Sequence, residues 1–256
     1  MYKYKHADQV LRAIKSNEYC GIIIYEGASR IDGKPIVAIF NRITDDSDND
    51  KTGAMVQSWI MRSDIKPNDA VKTGDDVSVC GNCPLRPVNK HMLKPGQKPC
   101  YVKTWQAPRS VYAAYVNGRY LKAGVDFPID LVKNIFSGLK VRFGSYGDPF
   151  ALPVSRIAMV ARYAKRITGY SHQWQNPKAG KLSRYCMASV DNESDAINAH
   201  ESGWRTFRTR ENKDDVLPNE VICPASKEAG VRTNCAECGL CAGNSVQAKS
   251  PVIIYH

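Results

Sequence analysis

Hydrophobic residues follow two different periods along the chain, and each change of period marks a predicted strand or helix. After Gly138, short runs rich in apolar residues alternate with segments that carry an apolar residue at every third or fourth position. The runs predict buried strands, and the spaced segments predict helices. The predicted strands cover 139–143, 167–171, 184–190, 204–208 and 220–222, and the predicted helices cover 153–164 and 193–202. Strands that alternate with helices in this way are typical of a parallel βα array.

The first part of the chain has a different pattern, with more strand than helix. The spacing of apolar residues predicts a helix at 6–17, followed by strands at 20–25, 36–41 and 55–61. The acidic stretch 45–50 lacks the glycine and the glutamate of a calcium loop at their required offsets, so it predicts a solvated loop. Two further predicted helices, at 108–118 and 128–138, each begin at a proline and end at a glycine.

Together these elements predict an α/β protein built as a partial or distorted (βα) barrel, because right-handed crossovers curl a parallel array. A small N-terminal β-rich region and cysteine-rich loops accompany the barrel. The expected divisions are 1–65, an N-terminal α+β region packed on the core; 66–108, a metal-binding loop rich in cysteine and proline; 109–222, the βα core; and 223–256, a C-terminal metal-binding segment with four cysteines. In such barrels chemistry lies at the carboxyl ends of the strands. The sequence places residues 144–148, His172, Ser189, Asp191 and Cys223 there.

The composition is that of an ordinary folded chain and argues against disorder. The 256 residues are 43% hydrophobic and 24% charged, which is usual for globular proteins. No apolar run approaches the roughly 20 residues that span a bilayer, and no signal-peptide pattern follows the first residues. We therefore expect a cytoplasmic protein in a reducing compartment, with no membrane partner.

The formal net charge of +11 bears on the partners of the protein. Such a charge permits nucleic-acid binding, since cations neutralise phosphates. The basic residues are scattered along the chain, with no run of five or more. A solubilising surface therefore explains the charge as well as a nucleic-acid partner does.

Nine cysteines are the strongest chemical signal in the sequence. In a reducing compartment, clustered cysteines bind metal or carry redox chemistry more often than they form disulfides. Four of them lie within nineteen residues: Cys223, Cys235, Cys238 and Cys241. Three close thiolates with a distant Cys-Pro resemble the ferredoxin layout, so the first expectation is a [4Fe–4S] cluster on these four residues. The alternatives are a structural zinc on the same thiolates, or free thiols and disulfides.

A second group offers only three thiolates, at Cys80, Cys83 and Cys100. Ligation to a common centre would order the long segment, rich in proline and glycine, that contains them. Three arrangements are open. A fourth ligand comes from elsewhere, with Cys186, Cys20 and His91 available; a cluster keeps one open iron that takes a substrate or cofactor; or His91 completes a structural zinc site. The chain would then hold one cluster or two.

The loop at 144–149 follows a predicted strand and precedes a predicted helix. Its glycines, Gly144 and Gly147, would let a ligand approach the backbone, and Asp148 could accept hydrogen bonds from an amine or a ribose. These three are the candidate cofactor-binding residues, with a simple tight βα loop as the alternative. A lone histidine such as His172 is more often structural than catalytic, and Asp191 serves as a helix N-cap as readily as a site residue.

The cysteine blocks and this loop occur in a specific order and spacing. The blocks are Cys80-x2-Cys83-Pro84 with Cys100-Tyr101, then Val141-Arg142-Phe143-Gly144-Ser145-Tyr146-Gly147-Asp148, then Cys223-Pro224 with Cys235-x2-Cys238-Gly239-Leu240-Cys241. Over most of the chain after about Val77, this arrangement resembles a family of uncharacterised, cysteine-rich bacteriophage proteins. The resemblance implies a phage-encoded protein of the host cytoplasm.

A looser similarity is to the radical S-adenosylmethionine enzymes. Those enzymes combine a partial βα barrel with a three-cysteine cluster and a Gly-Gly-Glu-Pro-like stretch that contacts the methionyl amine. Tyr146-Gly147-Asp148-Pro149 occupies a comparable place, and an aromatic residue follows Cys100; the cysteine spacing is Cys-x2-Cys-x16-Cys where those enzymes have Cys-x3-Cys-x2-Cys. The similarity implies an iron–sulfur cluster on a βα scaffold, with S-adenosylmethionine as a further cofactor.

Two functions are consistent with these residues. The first is a phage-encoded iron–sulfur protein on a radical-enzyme-like βα scaffold, with redox or radical chemistry on an unknown substrate. The alternative is a zinc-stabilised, basic nucleic-acid-binding or host-takeover protein without catalysis. The sequence leaves open whether the chain is an enzyme.

Overall fold

A single, mostly parallel sheet runs through the protein. The computed structural model describes residues 1–45, 51–93 and 97–255, so the predicted solvated loop at 45–50 lies outside the described residues except for Asp45. Ten strands form the sheet in this part of the chain. They are β1 (Gly21–Ala28), β2 (Pro35–Asn41), β3 (Val56–Arg62), β4 (Leu121–Lys122), β5 (Lys140–Tyr146), β6 (Arg166–Ser171), β7 (Met187–Val190), β8 (Thr206–Arg210), β9 (Glu220–Ile222) and β10 (Ser250–Ile254).

Eight α-helices accompany these strands within the described ranges. They are α1 (Ala7–Lys15), α2 (Pro67–Thr73), α3 (Val77–Cys80), α4 (Ala107–Val116), α5 (Val132–Ile135), α6 (Val154–Ala161), α7 (Glu193–Glu201) and α8 (Cys235–Cys238). Local sequence signals explain several of the ends. Pro67 starts α2, which stops at the left-handed Gly74, and the side chain of Asn192 caps α7 by accepting from the Asp195 amide. None of the helices described is long and apolar enough to cross a bilayer.

The strand order is β4-β1-β2-β3-β5-β6-β7-β8-β10-β9. Strands β1, β2 and β3 form an antiparallel meander, and β3 then pairs in parallel with β5. From β5 onwards every pairing is parallel. Among strands β5–β10, the spatial order departs from the chain order at one place, because β10 lies between β8 and β9. The result is a mixed α/β fold whose N-terminal strands continue the same sheet as the βα array.

Most of the predicted elements are confirmed, including the helix–strand alternation after Gly138. Three details differ. A 3-10 turn at Gly180–Arg184 occupies the start of the strand predicted at 184–190, so that strand begins at Met187. The segment 66–108 contains α2 and α3. The strand at 220–222 is not the last, because the short apolar run at 250–254 adds β10.

The parallel half of the sheet has two unlike faces, because successive side chains of a strand point to opposite sides. On β5, Val141 and Phe143 face the hydrophobic core. Phe40 packs edge-to-face against Phe143 and against Phe136, which follows α5, with ring centroids 6.2 and 5.4 Å apart. Arg142, Gly144 and Tyr146, on the opposite side of the same strand, face a cavity. One face therefore packs into the hydrophobic core, and the other lines the cavity.

A buried ion pair joins β9 to the sheet beneath β10. Arg208 of β8 is 1% exposed and donates to both carboxylate oxygens of Glu220, each at 2.7 Å. Asp215 accepts from the same guanidinium at 2.7 Å. Arg208 lies on the face opposite to the cavity, since its neighbours Phe207 and Thr209 line the cavity. The pair positions β9, which ends directly before Cys223.

Candidate metal centres

A cavity of about 450 Å³ lies on the second face of the sheet. Its wall consists of alternate residues on five neighbouring strands, β5, β6, β7, β8 and β10, and of the residues that follow them. The list is Arg142, Gly144 and Tyr146; Thr168, Tyr170 and His172; Ser189 and Asp191; Phe207 and Thr209; and Pro251, Ile253 and Tyr255. Such a volume is within the range of small-molecule and cofactor sites, about 300–1,000 Å³.

All seven cysteines that the sequence assigned to metal ligation line this cavity. The other two do not: Cys20 is exposed just before β1, and Cys186 is buried in the core beside Gly169. No disulfide joins any of the nine, every one of which is in the described part of the chain. The two cysteine groups, whose nearest members Cys100 and Cys223 are 123 residues apart in the sequence, therefore share one cavity.

The upstream group is positioned by a tightly bonded loop that follows α3. Helix α3 ends at Cys80, and the amide of Cys83 donates to the Cys80 carbonyl at 3.2 Å. The amide of Cys100 donates to the Leu85 carbonyl at 2.7 Å, which returns the chain to the same place. A buried ion pair between Arg86 Nη2 and Asp76 Oδ1, 2.6 Å apart, further ties the loop to the start of α3. These bonds hold the chain segments that carry Cys80, Cys83 and Cys100 next to one another.

The loop of the upstream group is also tied to the end of β6. The side chain of Gln173 fills the space where a Cβ on Gly81 would be, and its amide donates to the Cys80 carbonyl at 3.2 Å. Any other residue at Gly81, which has a φ of 55°, would displace Gln173. This contact holds the three-cysteine loop against the strand end that carries His172.

The C-terminal group is assembled from three separate segments. Cys223 follows β9, and its amide donates to the Val252 carbonyl at 3.0 Å. Helix α8 carries Cys235 and Cys238, and Asn234 caps it by accepting from the Glu237 amide at 3.0 Å. The chain turns at the left-handed Gly239, and the carbonyl of Cys241 accepts from the Gly169 amide at 3.2 Å. The segment thus crosses from β9 to β6 over the cavity face.

Burial raises the pKa of the Cys80, Cys83, Cys100, Cys223, Cys235 and Cys241 thiols. It raises the pKa of Cys83 and of Cys241 to about 12, and the thiolate charges of neighbouring cysteines add to it. Those neighbours are Cys100 for Cys83, and Cys223, Cys235 and Cys238 for Cys241. The members of each group are therefore close enough to interact. Buried thiols of this kind are protonated at neutral pH, and a bound cation would replace their protons.

The donor set can be tested against the metals that the sequence suggested. Among the described residues, no three or more His, Cys, Asp or Glu side chains converge closely enough to hold a single metal ion. A tetrahedral zinc with Zn–S near 2.3 Å needs sulfurs roughly 3.8 Å apart. A cubane cluster is a larger object, and each thiolate binds a different iron at its own corner. The described side chains therefore form no single-ion site, and clustered thiols are the donor type that an iron–sulfur cluster uses.

The loop after β5 shapes the rim of the cavity through its glycines. A Cβ on Gly147, which has a φ of 80°, would lie 2.4 Å from the Ile60 carbonyl oxygen; one on Gly144 (φ 73°) would lie 2.7 Å from the Gly147 carbonyl oxygen. Both positions therefore require glycine for the path of the backbone. Their predicted role as contacts for a cofactor stays a prediction, although both line the cavity.

Asp148 is buried at the same rim, and its carboxylate holds two strand ends together. It accepts from the Phe150 amide at 2.9 Å, from the Ser171 hydroxyl at 2.7 Å and from the His172 amide at 2.8 Å. Burial raises the pKa of Asp148 to about 6, and these hydrogen bonds oppose that rise. The structure thus gives Asp148 a role in fixing the rim, and a contact with a cofactor amine or ribose stays a prediction.

Three polar atoms in the cavity wall are buried without a hydrogen-bond partner among the described residues. They are Arg142 Nε, Tyr146 OH and His172 Nε2. A buried polar atom without a partner is costly, so water or a ligand in the cavity would form hydrogen bonds with these atoms. From the sequence, Arg142 and Tyr146 are identified only as parts of a motif, and neither is assigned a role of its own. The alternation of residues along β5 could have found them, because they share a face with Gly144.

Arg142 faces the C-terminal group. Its Nη2 donates to the Tyr101 hydroxyl at 2.8 Å, and in the part of the chain that the structure covers it has no carboxylate partner. Burial acts to lower the pKa of Arg142, but neighbouring groups, Cys235 and Cys241 among them, raise it. Four thiolates and a metal centre carry net negative charge, which an unpaired guanidinium would balance.

We expect Arg142→Gln to lower the reduction potential of a cluster on the C-terminal group by tens of millivolts. Removal of the cation destabilises the reduced, more negative state. A redox titration followed by electron paramagnetic resonance measures the shift. Arg142→Lys should retain most of the potential, and Lys133→Gln, exposed on α5, controls for net charge. An unchanged potential in Arg142→Gln would contradict this role.

Comparisons with protein-family models, with curated proteins and with solved structures gave no match for this chain. The functional argument therefore depends on the site itself.

Proposed function

We propose that the protein binds iron–sulfur clusters and performs redox chemistry in the cavity between its two cysteine groups. Cys223, Cys235, Cys238 and Cys241 would hold a [4Fe–4S] cluster, and Cys80, Cys83 and Cys100 would hold a second centre. The observation that carries the proposal is the single cavity that all seven of these cysteines line. A cluster held there supplies one-electron transfer at a potential set by its charge, hydrogen bonds and exposure.

The proposed scaffold is a partial (βα) barrel that opens between β4 and β9. Support comes from the six parallel strands β5–β10, five of which (β5, β6, β7, β8 and β10) line one cavity. Asp148, His172, Asp191 and Cys223 follow the carboxyl ends of β5, β6, β7 and β9. This is the end at which barrel enzymes place their chemistry.

The cavity wall also combines polar and apolar groups that would suit a small molecule. Tyr146 and His172 present polar atoms that the protein does not satisfy, and Phe207 and Ile253 present apolar surface. These residues would orient a substrate beside the upstream group and exclude water from it. S-adenosylmethionine is one molecule that the sequence resemblance proposes for this place, at Gly144, Gly147 and Asp148. The same resemblance proposes a phage origin and the host cytoplasm, a reducing compartment in which thiols stay available for metal.

Iron and sulfide analysis of the anaerobically purified protein tests the proposal. We expect about eight irons and eight sulfides per chain for two [4Fe–4S] clusters, or about four of each for one, with a brown colour from broad thiolate-to-iron absorption. Cys241→Ser should remove the C-terminal share, and Cys20→Ser, at an exposed position outside the cavity, should remove none.

Colourless protein with stoichiometric zinc would refute the proposal and favour the alternative, a zinc-stabilised protein that binds nucleic acid. The net charge of +11 is the observation behind that alternative. It requires salt-dependent binding to DNA or RNA that is lost when the zinc is chelated.

A further inference from the structure

The upstream group has three thiolates, and the three residues considered from the sequence as a fourth ligand are not in the cavity. Cys186 is buried in the core, Cys20 is exposed before β1, and His91 is exposed on the 3-10 turn Pro87–Met92. None of them is among the residues that line the cavity. If the protein supplies a fourth ligand, it is therefore another side chain in the cavity wall.

His172 lies in the cavity wall, and its ring nitrogen Nε2 is a candidate metal ligand. Its Nε2 is buried and has no hydrogen-bond partner in the described ranges, and the ring lines the same cavity as Cys80, Cys83 and Cys100. Imidazole nitrogen is a common metal ligand and is known to replace cysteine on iron–sulfur clusters. A buried ring nitrogen that faces a cavity without a protein partner is the feature expected of a metal ligand.

Two contacts bring His172 to the upstream group. Its amide donates to Asp148 at 2.8 Å, and the charge of Asp148 acts on Cys80 and Cys83. The next residue, Gln173, packs on Gly81 and donates to the Cys80 carbonyl. The His172 amide is therefore bonded to the rim of the cavity, and the side chain of Gln173 is bonded to the loop that carries the thiols.

The carboxylate of Asp191 completes the surroundings of the ring. Asp191 lines the cavity beside His172, interacts with it electrostatically and accepts a hydrogen bond from the Thr209 hydroxyl. Carboxylates commonly orient metal-bound histidines through the ring nitrogen that does not bind the metal. Asp191 is therefore a positioning residue for His172.

We infer that His172 is the fourth ligand of the metal centre on Cys80, Cys83 and Cys100, which makes it a closed Cys₃His iron–sulfur cluster. The inference rests on the proposed function, because it requires that the chain binds clusters. It also refines that function: with all four irons ligated by protein, the upstream cluster exchanges electrons and leaves no iron open to a substrate or to S-adenosylmethionine. The cavity then holds a substrate next to the cluster, and not on it.

Pulsed electron paramagnetic resonance on the reduced wild-type protein tests the inference directly. We expect a strongly coupled ¹⁴N nucleus that changes to the ¹⁵N pattern when the protein is grown with ¹⁵N-histidine. His172→Ala should lower the iron content from about eight to about four per chain, the loss of one of two clusters. His172→Cys should restore about eight irons without the nitrogen coupling. His91→Ala, the other histidine near the group in sequence, should leave both readouts unchanged.

The outcomes separate the inference from the proposed function. A chain that binds no iron refutes both. Iron–sulfur clusters without nitrogen coupling, or a wild-type iron content in His172→Ala, overturn only the inference. If His172→Ala loses all iron because it misfolds, His172→Cys decides: two clusters without the nitrogen coupling support the ligand role, and failure to recover iron overturns it.

Discussion

Arg208→Met is expected to lower the free energy of unfolding by about 3–5 kcal/mol, because it leaves the carboxylate of Glu220 buried without its cation. Glu220 is 4% exposed, and Arg208 donates to both of its oxygens. The loss should also release β9 and with it Cys223, so the cluster proposed for the C-terminal group should be lost. Urea denaturation and iron analysis measure the two effects.

Two variants make this prediction specific. Arg12→Met removes an exposed ion pair, Arg12–Asp8, whose side chains are 74% and 67% exposed, and should cost no more than about 0.5 kcal/mol. The double variant Arg208→Met with Glu220→Leu replaces the pair by apolar groups and should recover much of the lost stability. A small effect of Arg208→Met alone would show that water reaches Glu220, contrary to the packing described.

Gly147→Ala is expected to destabilise the protein by about 2–5 kcal/mol. A left-handed backbone costs a residue with a Cβ about 1–2 kcal/mol, and overpacking adds about 1–3 kcal/mol. The added methyl would lie 2.4 Å from the Ile60 carbonyl oxygen, a backbone atom that cannot rotate away. The rim formed by β3 and β5 would have to separate, so iron binding to the upstream group should weaken as well.

Gly138→Ala is the matched control for this substitution. Gly138 has a similar φ of 78°, but a Cβ there would meet no atom within 4 Å. It should therefore show only the cost of the backbone conformation, about 1–2 kcal/mol, and normal iron binding. Equal losses for the two variants in thermal and urea unfolding would contradict the close approach between Gly147 and Ile60.

The regular elements of the fold could be predicted from the sequence because their signals are local. The helix at 6–17 and the strands at 36–41 and 167–171 each carry an apolar pattern with clear ends, and the structure has α1, β2 and β6 there. The parallel arrangement followed from the alternation of these patterns. The position of β10 could not be predicted, because a five-residue run with a proline at its second position does not specify which strands it joins.

The candidate site was predictable in its residue types and not in its arrangement. Cysteine spacing identified two groups, but only the folded sheet brings them to one cavity. His172 was interpreted as more often structural than functional, since a lone histidine has no spacing that marks it. Its unsatisfied Nε2 depends on the packing around it, which no local pattern encodes. Arg142 was hidden for the same reason, because its neighbours come from segments 41 and 93 residues away, Tyr101 and Cys235.

The place of β10 in the sheet has a consequence for biosynthesis. Strand β9 has β10 as its hydrogen-bonded neighbour, so it cannot join the sheet until residues 250–254 have left the ribosome. Every cysteine of both groups is translated before that strand. During synthesis, which proceeds at about 5–20 residues per second with N-terminal parts folding first, the cavity therefore has one wall missing. If the protein binds clusters as proposed, a carrier of iron and sulfide would reach the thiols during that interval, before the last wall of the cavity is in place.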